Sequence, residues 1–121
     1  MFHGLFYAAV VVVGILLIVN GFRRFQDLKW RMTDPVGYYR ARTESWIELR
    51  LYNALVKRGY RVITQHPCGP YRIDIALPDY GLAIECDGKA YHSTPEQKRH
   101  DRRKDNYLRK HGWSVMRFKG S

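Results

Sequence analysis

The pattern of hydrophobic and polar positions divides the chain near residue 22. Residues 2–22 contain no Lys, Arg, Asp or Glu, and only His3 and Asn20 among them are clearly polar. As a helix the run would span about 31 Å, close to the ~30 Å hydrocarbon thickness of a bilayer. The remaining domain is too small to cover a helix that is apolar on every side. A cleaved signal peptide is disfavoured because no Lys or Arg precedes the run. We therefore expect residues 1–22 to form a single-pass transmembrane anchor.

The next segment, residues 23–42, mixes basic and aromatic side chains. Asp34-Pro35 and Gly37 predict a turn within it, so we interpret it as a juxtamembrane linker. Such residues beside a membrane span favour interfacial anchoring over contact with nucleic acid. Four Lys or Arg follow the apolar run within ten residues and none precedes it. This asymmetry predicts that the N-terminus lies outside and that the rest of the chain is cytoplasmic.

Beyond residue 42 the pattern predicts the element order α-β-β-β-α-β. A helix is expected from about 45 to 58, because Ser45 and Glu48 have capping-box spacing and apolar residues recur on one face. Three short runs rich in Val, Ile and Tyr predict a meander of strands at residues 61–65, 71–77 and 82–86. A second helix is predicted from Pro95 to about 111, and a fourth strand at 113–118.

Composition adds a strong charge bias to this picture. The 121 residues include 21 Lys and Arg against 11 Asp and Glu, a net charge of +10 that lies entirely after residue 22. Two cysteines cannot form a disulfide framework, which excludes a small secreted disulfide protein. A domain this basic predicts a polyanionic partner, either nucleic acid or the anionic face of a membrane.

Acidic residues are scarce in this basic domain, so their positions are informative. Asp74 lies in the middle of the second predicted strand, and Glu85 and Asp87 flank Cys86 at the end of the third. Alternation places Glu85 and Asp87 on one face, a meander brings Asp74 alongside them, and Glu48 can reach the same place from the first helix. Converging carboxylates repel one another unless a cation joins them, and Mg²⁺ or Mn²⁺ with oxygen ligands is suited to phosphodiester hydrolysis. The alternative is a set of solvated acids paired with Arg and Lys.

The motifs combine into a recognisable pattern. They are Tyr71-x-x-Asp74, Glu85-x-Asp87-Gly88 with His92 four residues on, Asp101 seven before Leu108, Gly112-Trp113, and Val115-x-Arg117-Phe118, together with Gln65 and Glu48. This pattern, over residues 44–118, resembles the endonuclease-like domains related to very-short-patch-repair proteins, in the restriction-endonuclease-like, PD-(D/E)XK superfamily. The resemblance implies an α/β fold with an αβββαβ core and a mixed central sheet. It also implies that Asp74, Glu85 and the backbone carbonyl of Cys86 hold the metal, with Glu48 as an outer contributor.

The chain departs from the superfamily pattern at two points. The superfamily usually has Lys two residues after the second acid, where this chain has Asp87, so the positive charge and proton handling are expected from His92 or Lys89. For His92 the alternative is a loop histidine without a role. Relatives generally carry a further helix after the position of Phe118, and the endonuclease-like domain, residues 43–121, is expected to lack it.

The second predicted helix is strongly basic. Arg99, Arg102, Asn106 and Arg109 share one face, and the opposite face carries Asp101, Lys104, Leu108 and His111 toward the core. We predict that the basic side contacts DNA phosphates through Lys89, Arg99, Arg102, Arg103 and Arg109, although a solvated basic surface is an equal alternative.

A zinc site is a further combination that the sequence allows. His66, Cys68, Cys86 and His92 could supply its four ligands, but Cys86 alternates away from Glu85 and into the sheet, which argues against zinc.

These observations favour a membrane-anchored, Mg²⁺- or Mn²⁺-dependent endonuclease that hydrolyses DNA phosphodiester bonds at the cytoplasmic face. The first alternative is a catalytically inactive module of the same fold that binds nucleic acid or a partner. The second is a peripheral domain that binds anionic lipid. The acidic cluster separates the hypotheses, because neither alternative requires it. Protein partners stay open.

Overall fold

The computed structural model describes residues 2–87 and 94–119, which divide into the units Met1–Tyr38 and Tyr39–Ser121. Helix α1 (Phe2–Thr33) makes up nearly all of the first unit and has no buried residue. By length and composition it is apolar enough to cross a membrane. It continues well past residue 22, so the segment predicted as a linker is mostly helical. The reason is local, because residues 23–33 contain no Gly or Pro and many good helix formers.

Helix α1 ends at a one-residue break. Helix α2 (Pro35–Ala41) begins immediately after Asp34, whose carboxylate accepts a hydrogen bond from the backbone N–H of Gly37 at 3.0 Å. Proline is favoured in the first turn of a helix, and aspartate is a preferred residue just before it. The predicted turn is therefore a helix cap, and Gly37 lies inside α2.

The second unit has the predicted order of elements. Its helices and strands are α3 (Trp46–Lys57), β1 (Ile63–Cys68), β2 (Tyr71–Leu77), β3 (Leu82–Asp87), α4 (Pro95–Lys110) and β4 (Ser114–Lys119). The sheet order is β1-β2-β3-β4, with β1–β2 and β2–β3 antiparallel and β3–β4 parallel. The predicted αβββαβ core with a mixed central sheet is confirmed.

The first strand differs from its predicted range. Strand β1 extends to Cys68, and a two-residue turn at Gly69-Pro70 joins it to β2. The sequence pattern predicts that this strand ends at residue 65 and that residues 66–70, which include Pro67 and Pro70, separate it from the next strand. Pro67 is accommodated because β1 lies at the edge of the sheet, where a missing backbone N–H is tolerated.

The two helices cover opposite faces of the sheet, which we call the α3 side and the α4 side. Tyr52 of α3 packs with Val62, Ile75, Leu77 and Ile84. Leu108 of α4 packs with Ile73, Ala76 and Ala83. The alternation of β2 is therefore broken between Ile73, on the α4 side, and Ile75, on the α3 side. Asp74 lies at that break.

Candidate active site

Asp74 and Glu85 lie where β2 and β3 separate. The paired positions of these strands end at Ile75 and Ile84, and Asp74 and Glu85 are the next positions along them. The carboxylate of Asp74 accepts a hydrogen bond from the backbone N–H of Cys86 at 3.0 Å. This bond ties the side chain of Asp74 to β3, so the fork brings together the two acids that the sequence predicted.

Glu85 is the most strongly perturbed acid of the site. Its residue is 4% exposed, Lys104 donates to its Oε2 at 2.9 Å, and its Oε1 is buried without a hydrogen-bond partner in the described structure. Burial, together with the negative charge of Asp74, raises the pKa of Glu85 to about 8, although Lys104 lowers it. One carboxylate oxygen is thus satisfied by Lys104, while the other is desolvated.

Lys104 is a site residue whose partner the sequence reasoning missed. The helical pattern placed it on the core-facing side of α4 with Leu108, and its side chain is indeed mostly buried beside Glu85. A lysine on the core face of a helix requires an acidic partner, because an unpaired buried ammonium is costly. That rule was the available signal, but it does not identify which acid is the partner.

Glu48 reaches the site from the first turn of α3. Its residue is 4% exposed, and its Oε2 accepts hydrogen bonds from the backbone N–H of Glu44 at 2.9 Å and from Nε2 of Gln65 at 3.3 Å. Ser45 caps the helix as predicted, but Glu48 bonds Glu44 rather than completing the box at Ser45. Burial raises the pKa of Glu48, the Glu44 bond opposes this, and the charge of Asp74 raises the pKa further.

Asp87 lies on the α4 side with Glu85, as alternation predicted, but it faces Arg117 of β4. Arg117 Nη2 and Nε contact the carboxylate of Asp105 at 2.8 and 3.3 Å, and its Nη1 lies 3.5 Å from Asp87. Nη2 also lies 3.7 Å from Asp101. Burial by itself lowers the pKa of Arg117, but the bonds to Asp105 raise it overall. The sequence motif includes Arg117 but does not indicate which acids it pairs with.

The described residues do not form the alternative zinc site. Cys86 packs on the α3 side, and burial raises the pKa of its thiol to about 12. His66 instead lies against Trp113 with 5.4 Å between the ring centroids, and Trp113 packs on the α4 side. Within residues 2–87 and 94–119, no group of three or more His, Cys, Asp or Glu is arranged to hold a metal ion. The predicted Mg²⁺ set differs in kind, since it combines two carboxylates with one backbone carbonyl.

The remaining predicted residues that the structure describes lie on α4. Arg99, Arg102, Arg103 and Arg109 are exposed, and we call them the basic face, whereas Asp101, Lys104 and Leu108 turn inward. The predicted separation of the two faces of α4 is therefore observed within the helix. The prediction was wrong for His111, which is exposed because it lies beyond Lys110 as the C-cap residue. His92 and Lys89 lie outside the described residues.

The architecture and the carboxylate fork define a restriction-endonuclease-like domain, and such a fold supports a nuclease-type function. More particularly, the chain belongs to the REase_MTES_1575 family, whose model matches residues 47–121. Among solved structures, it is similar to the homing endonuclease I-Bth0305I catalytic domain. The two share 24% identity over 63% of this chain and 76% of that chain, with a TM-score of 0.51, a likeness in fold. A search of curated proteins found no match.

Proposed function

We propose that the protein is a membrane-anchored, metal-dependent endonuclease that hydrolyses phosphodiester bonds of DNA. The observation that carries the proposal is the juxtaposition of Asp74 and Glu85 at the fork of β2 and β3, with Glu85 Oε1 buried and unpaired. A buried carboxylate oxygen without a partner is costly, and a neighbouring carboxylate increases that cost. A cation between the two acids would remove both penalties.

The donor set suits a hard divalent cation. Asp74, Glu85 and the backbone carbonyl of Cys86 would hold Mg²⁺ or Mn²⁺, which prefer oxygen ligands. When bound, such an ion supplies a water of lowered pKa and stabilises charge on the phosphoryl oxygens.

The side chains around the fork have separate tasks in this proposal. Lys104 fixes the orientation of Glu85 through its bond to Oε2. Asp87, held on the same face, or His92 orients the attacking water and accepts or returns its proton. Glu48 contributes negative charge from the α3 side as an outer residue.

DNA is the proposed substrate because of the basic face. Its four guanidiniums project from one side of α4, whose inward side carries Lys104 of the site. Contacts of this kind position a phosphate backbone without reading bases. Lys89 is proposed as a further contact with the phosphate backbone.

Cleavage by the full chain in detergent, assayed on plasmid and linear duplex with Mg²⁺ or Mn²⁺, tests the proposal. Asp74→Ala and Glu85→Ala should abolish cleavage while DNA binding persists or tightens, because each removes negative charge near the phosphates. His92→Ala should slow cleavage by about 10²- to 10⁴-fold if the imidazole transfers a proton. The matched control is Asp79→Ala, an exposed acid that pairs with Arg61 and should cut like wild type. Cleavage by the Asp74 and Glu85 variants at the wild-type rate would refute the proposal.

A second candidate is a module of the same fold that binds DNA without cutting it. The observation in its favour is that Lys104 already neutralises part of the charge of Glu85. This candidate predicts DNA binding without metal-dependent cleavage.

In either case six phosphate contacts would give a slope near −5 in log K against log salt. Replacing Arg99, Arg102 and Arg109 by Glu should weaken binding to all DNA sequences alike. Unchanged affinity would show that the basic face is a solvated surface that does not contact DNA.

Membrane anchoring through residues 2–22 is supported by the length and apolar character of α1. We propose that the N-terminus lies outside and the endonuclease-like domain in the cytoplasm, because the basic residues follow the apolar run. Single-cysteine reporters placed after residue 23 should then resist an impermeant thiol reagent applied to intact cells. Modification of those reporters from outside would overturn this orientation.

A further inference from the structure

Strand β1 contains an unusual backbone conformation at Gln65. Its φ is +50°, and it is the one non-glycine residue with positive φ in the described part of the chain. Side chains with a Cβ rarely adopt this conformation, and it is especially uncommon in the middle of a strand. Strained backbone of this kind persists only where its surroundings hold it, and it clusters at functional sites.

The unusual φ changes the direction of one side chain. Ile63 packs with the α4-side cluster and His66 contacts Trp113, which packs on that side too. Between them, Thr64 and Gln65 bond to groups on the α3 side, although successive side chains of a regular strand point to opposite faces. Because of its conformation, the side chain of Gln65 lies on the same side of the sheet as that of Thr64, which is the side that holds Glu48.

The side-chain amide of Gln65 lies at the candidate active site. The register of Thr64 with Ile75 and of His66 with Ile73 places Gln65 across from Asp74, where β2 also loses its alternation. Gln65 is 4% exposed, and its Nε2 donates to Glu48 Oε2 at 3.3 Å. The two neighbouring strands thus depart from regular alternation at the same level, and both departures concern site residues.

We propose that Gln65 is a positioning residue, whose strained backbone holds its amide against Glu48 and so fixes the Glu48 carboxylate beside Asp74. The inference rests on the proposed endonuclease function and deepens it. In this role Gln65 acts through Glu48, to which its amide donates. Without the amide, the hydrogen bonds to Glu48 Oε2 among the described residues are reduced to the one from the backbone N–H of Glu44. The strain is kept because it aims the side chain, since a relaxed strand would direct residue 65 to the α4 side.

Comparing glycine and alanine at position 65 tests the strain. Both Gln65→Gly and Gln65→Ala remove the amide, but only glycine adopts positive φ without steric conflict. In urea denaturation of the full chain in detergent, Gln65→Gly should have the higher midpoint. Thr64, the buried neighbour, is the matched control, and there the glycine variant should have the lower midpoint, as is usual in a strand. A higher midpoint for Gln65→Ala than for Gln65→Gly would overturn the inference.

Kinetics test the positioning role. Both Gln65 variants should reduce kcat for DNA cleavage by about tenfold or more while KM changes by less than about twofold, because the lost interaction orients a site residue and does not bind substrate. Thr64→Ala should leave kcat within about twofold of wild type, since its hydroxyl donates to the Tyr39 carbonyl. In a Glu48→Gln background, Gln65→Ala should add little further loss. Additive losses, or a change confined to KM, would contradict the inference.

The outcomes also separate this inference from the proposed function. If wild-type protein cuts no DNA, the endonuclease proposal fails. The glycine and alanine midpoints, and the coupling of Gln65 with Glu48 in a double-mutant unfolding cycle, then still decide whether Gln65 holds Glu48. Independent effects of the two substitutions on unfolding would overturn the inference.

Discussion

Replacing Glu85 by Gln should stabilise the metal-free protein at neutral and alkaline pH. Glu85 is buried, one of its oxygens has no partner in the described structure, and its pKa is raised from 4.5 to about 8. An acid with a folded pKa above its unfolded pKa binds more protons in the native state, so its charge destabilises the fold. The penalty is small below about pH 4.5, grows as the pH rises toward 8, and is complete above that value. A neutral amide of the same shape avoids it.

The magnitude follows from the two pKa values. Proton linkage between 4.5 and about 8 gives a penalty of about 3 kcal/mol at pH 7 and under about 1 kcal/mol at pH 5. Part of this gain in stability is lost, because in Glu85→Gln the ammonium of Lys104 donates to an amide oxygen and no longer to a carboxylate. We therefore expect Glu85→Gln to raise the free energy of unfolding by about 1–3 kcal/mol at pH 7, with a larger gain at pH 8.5.

The measurement is urea denaturation of the full chain in detergent and EDTA at pH 5, 7 and 8.5, followed by tryptophan fluorescence. Lys104→Gln is the complementary variant, and it should destabilise by about 3–5 kcal/mol at pH 8.5, because it leaves a buried carboxylate without its cation. Asp79→Asn is the control, because this exposed acid has a pKa lowered by its hydrogen bond from Arg61 and should show no gain at any pH. Added Mg²⁺ should reduce the difference in free energy of unfolding between Glu85→Gln and wild type, since an ion bound by the two acids stabilises only wild type.

A lower stability of Glu85→Gln than of wild type at pH 8.5 would refute this reasoning. A gain of equal size at all three pH values would refute it as well, because the effect would then come from packing and not from charge. Neither outcome depends on whether the protein cleaves DNA, so the electrostatics of the fork are tested apart from the proposed function.

Two further predictions concern the fold around the site. Gly69→Ala should destabilise by at least about 1 kcal/mol more than Gly59→Ala, because both residues have positive φ but a methyl group at Gly69 would also collide with the phenol of Tyr107; equal effects in urea denaturation would contradict this. Arg117→Ala should destabilise by about 3 kcal/mol, because it leaves mostly buried carboxylates without their cation, whereas Arg72→Ala removes an exposed pair and should cost less than about 1 kcal/mol. Similar thermal midpoints for the two arginine variants would argue against a structural role for Arg117.

Local signals in the sequence were sufficient for the order of the elements. Ser45 before α3 and Pro95 at the start of α4 act within one helical turn, so their meaning is independent of the rest of the fold. The alternation that places Glu85 and Asp87 on one face of β3 is equally local, as is the separation of the basic face of α4 from its core-facing side.

Some local signals misled because their effect depends on position in the sheet. Pro67 indicated a turn, yet β1 continues past it because the strand lies at an edge. Residues 23–33 carried no signal to end the apolar helix, so α1 continues through the predicted linker to Thr33. The sequence around Pro67 does not indicate which strands neighbour β1, because the order of strands is decided only when the sheet assembles.

The contacts that define the site were decided by the tertiary structure. Lys104 meets Glu85 from 19 residues away, and Gln65 meets Glu48 from 17 residues away. The alternation of side chains is broken at Gln65 in β1 and at Asp74 in β2. Regular alternation would have placed these two side chains differently. Sequence patterns describe the average geometry of one element at a time. An exception to that geometry arises where several elements together stabilise a strained backbone and buried charges, and no single element encodes it.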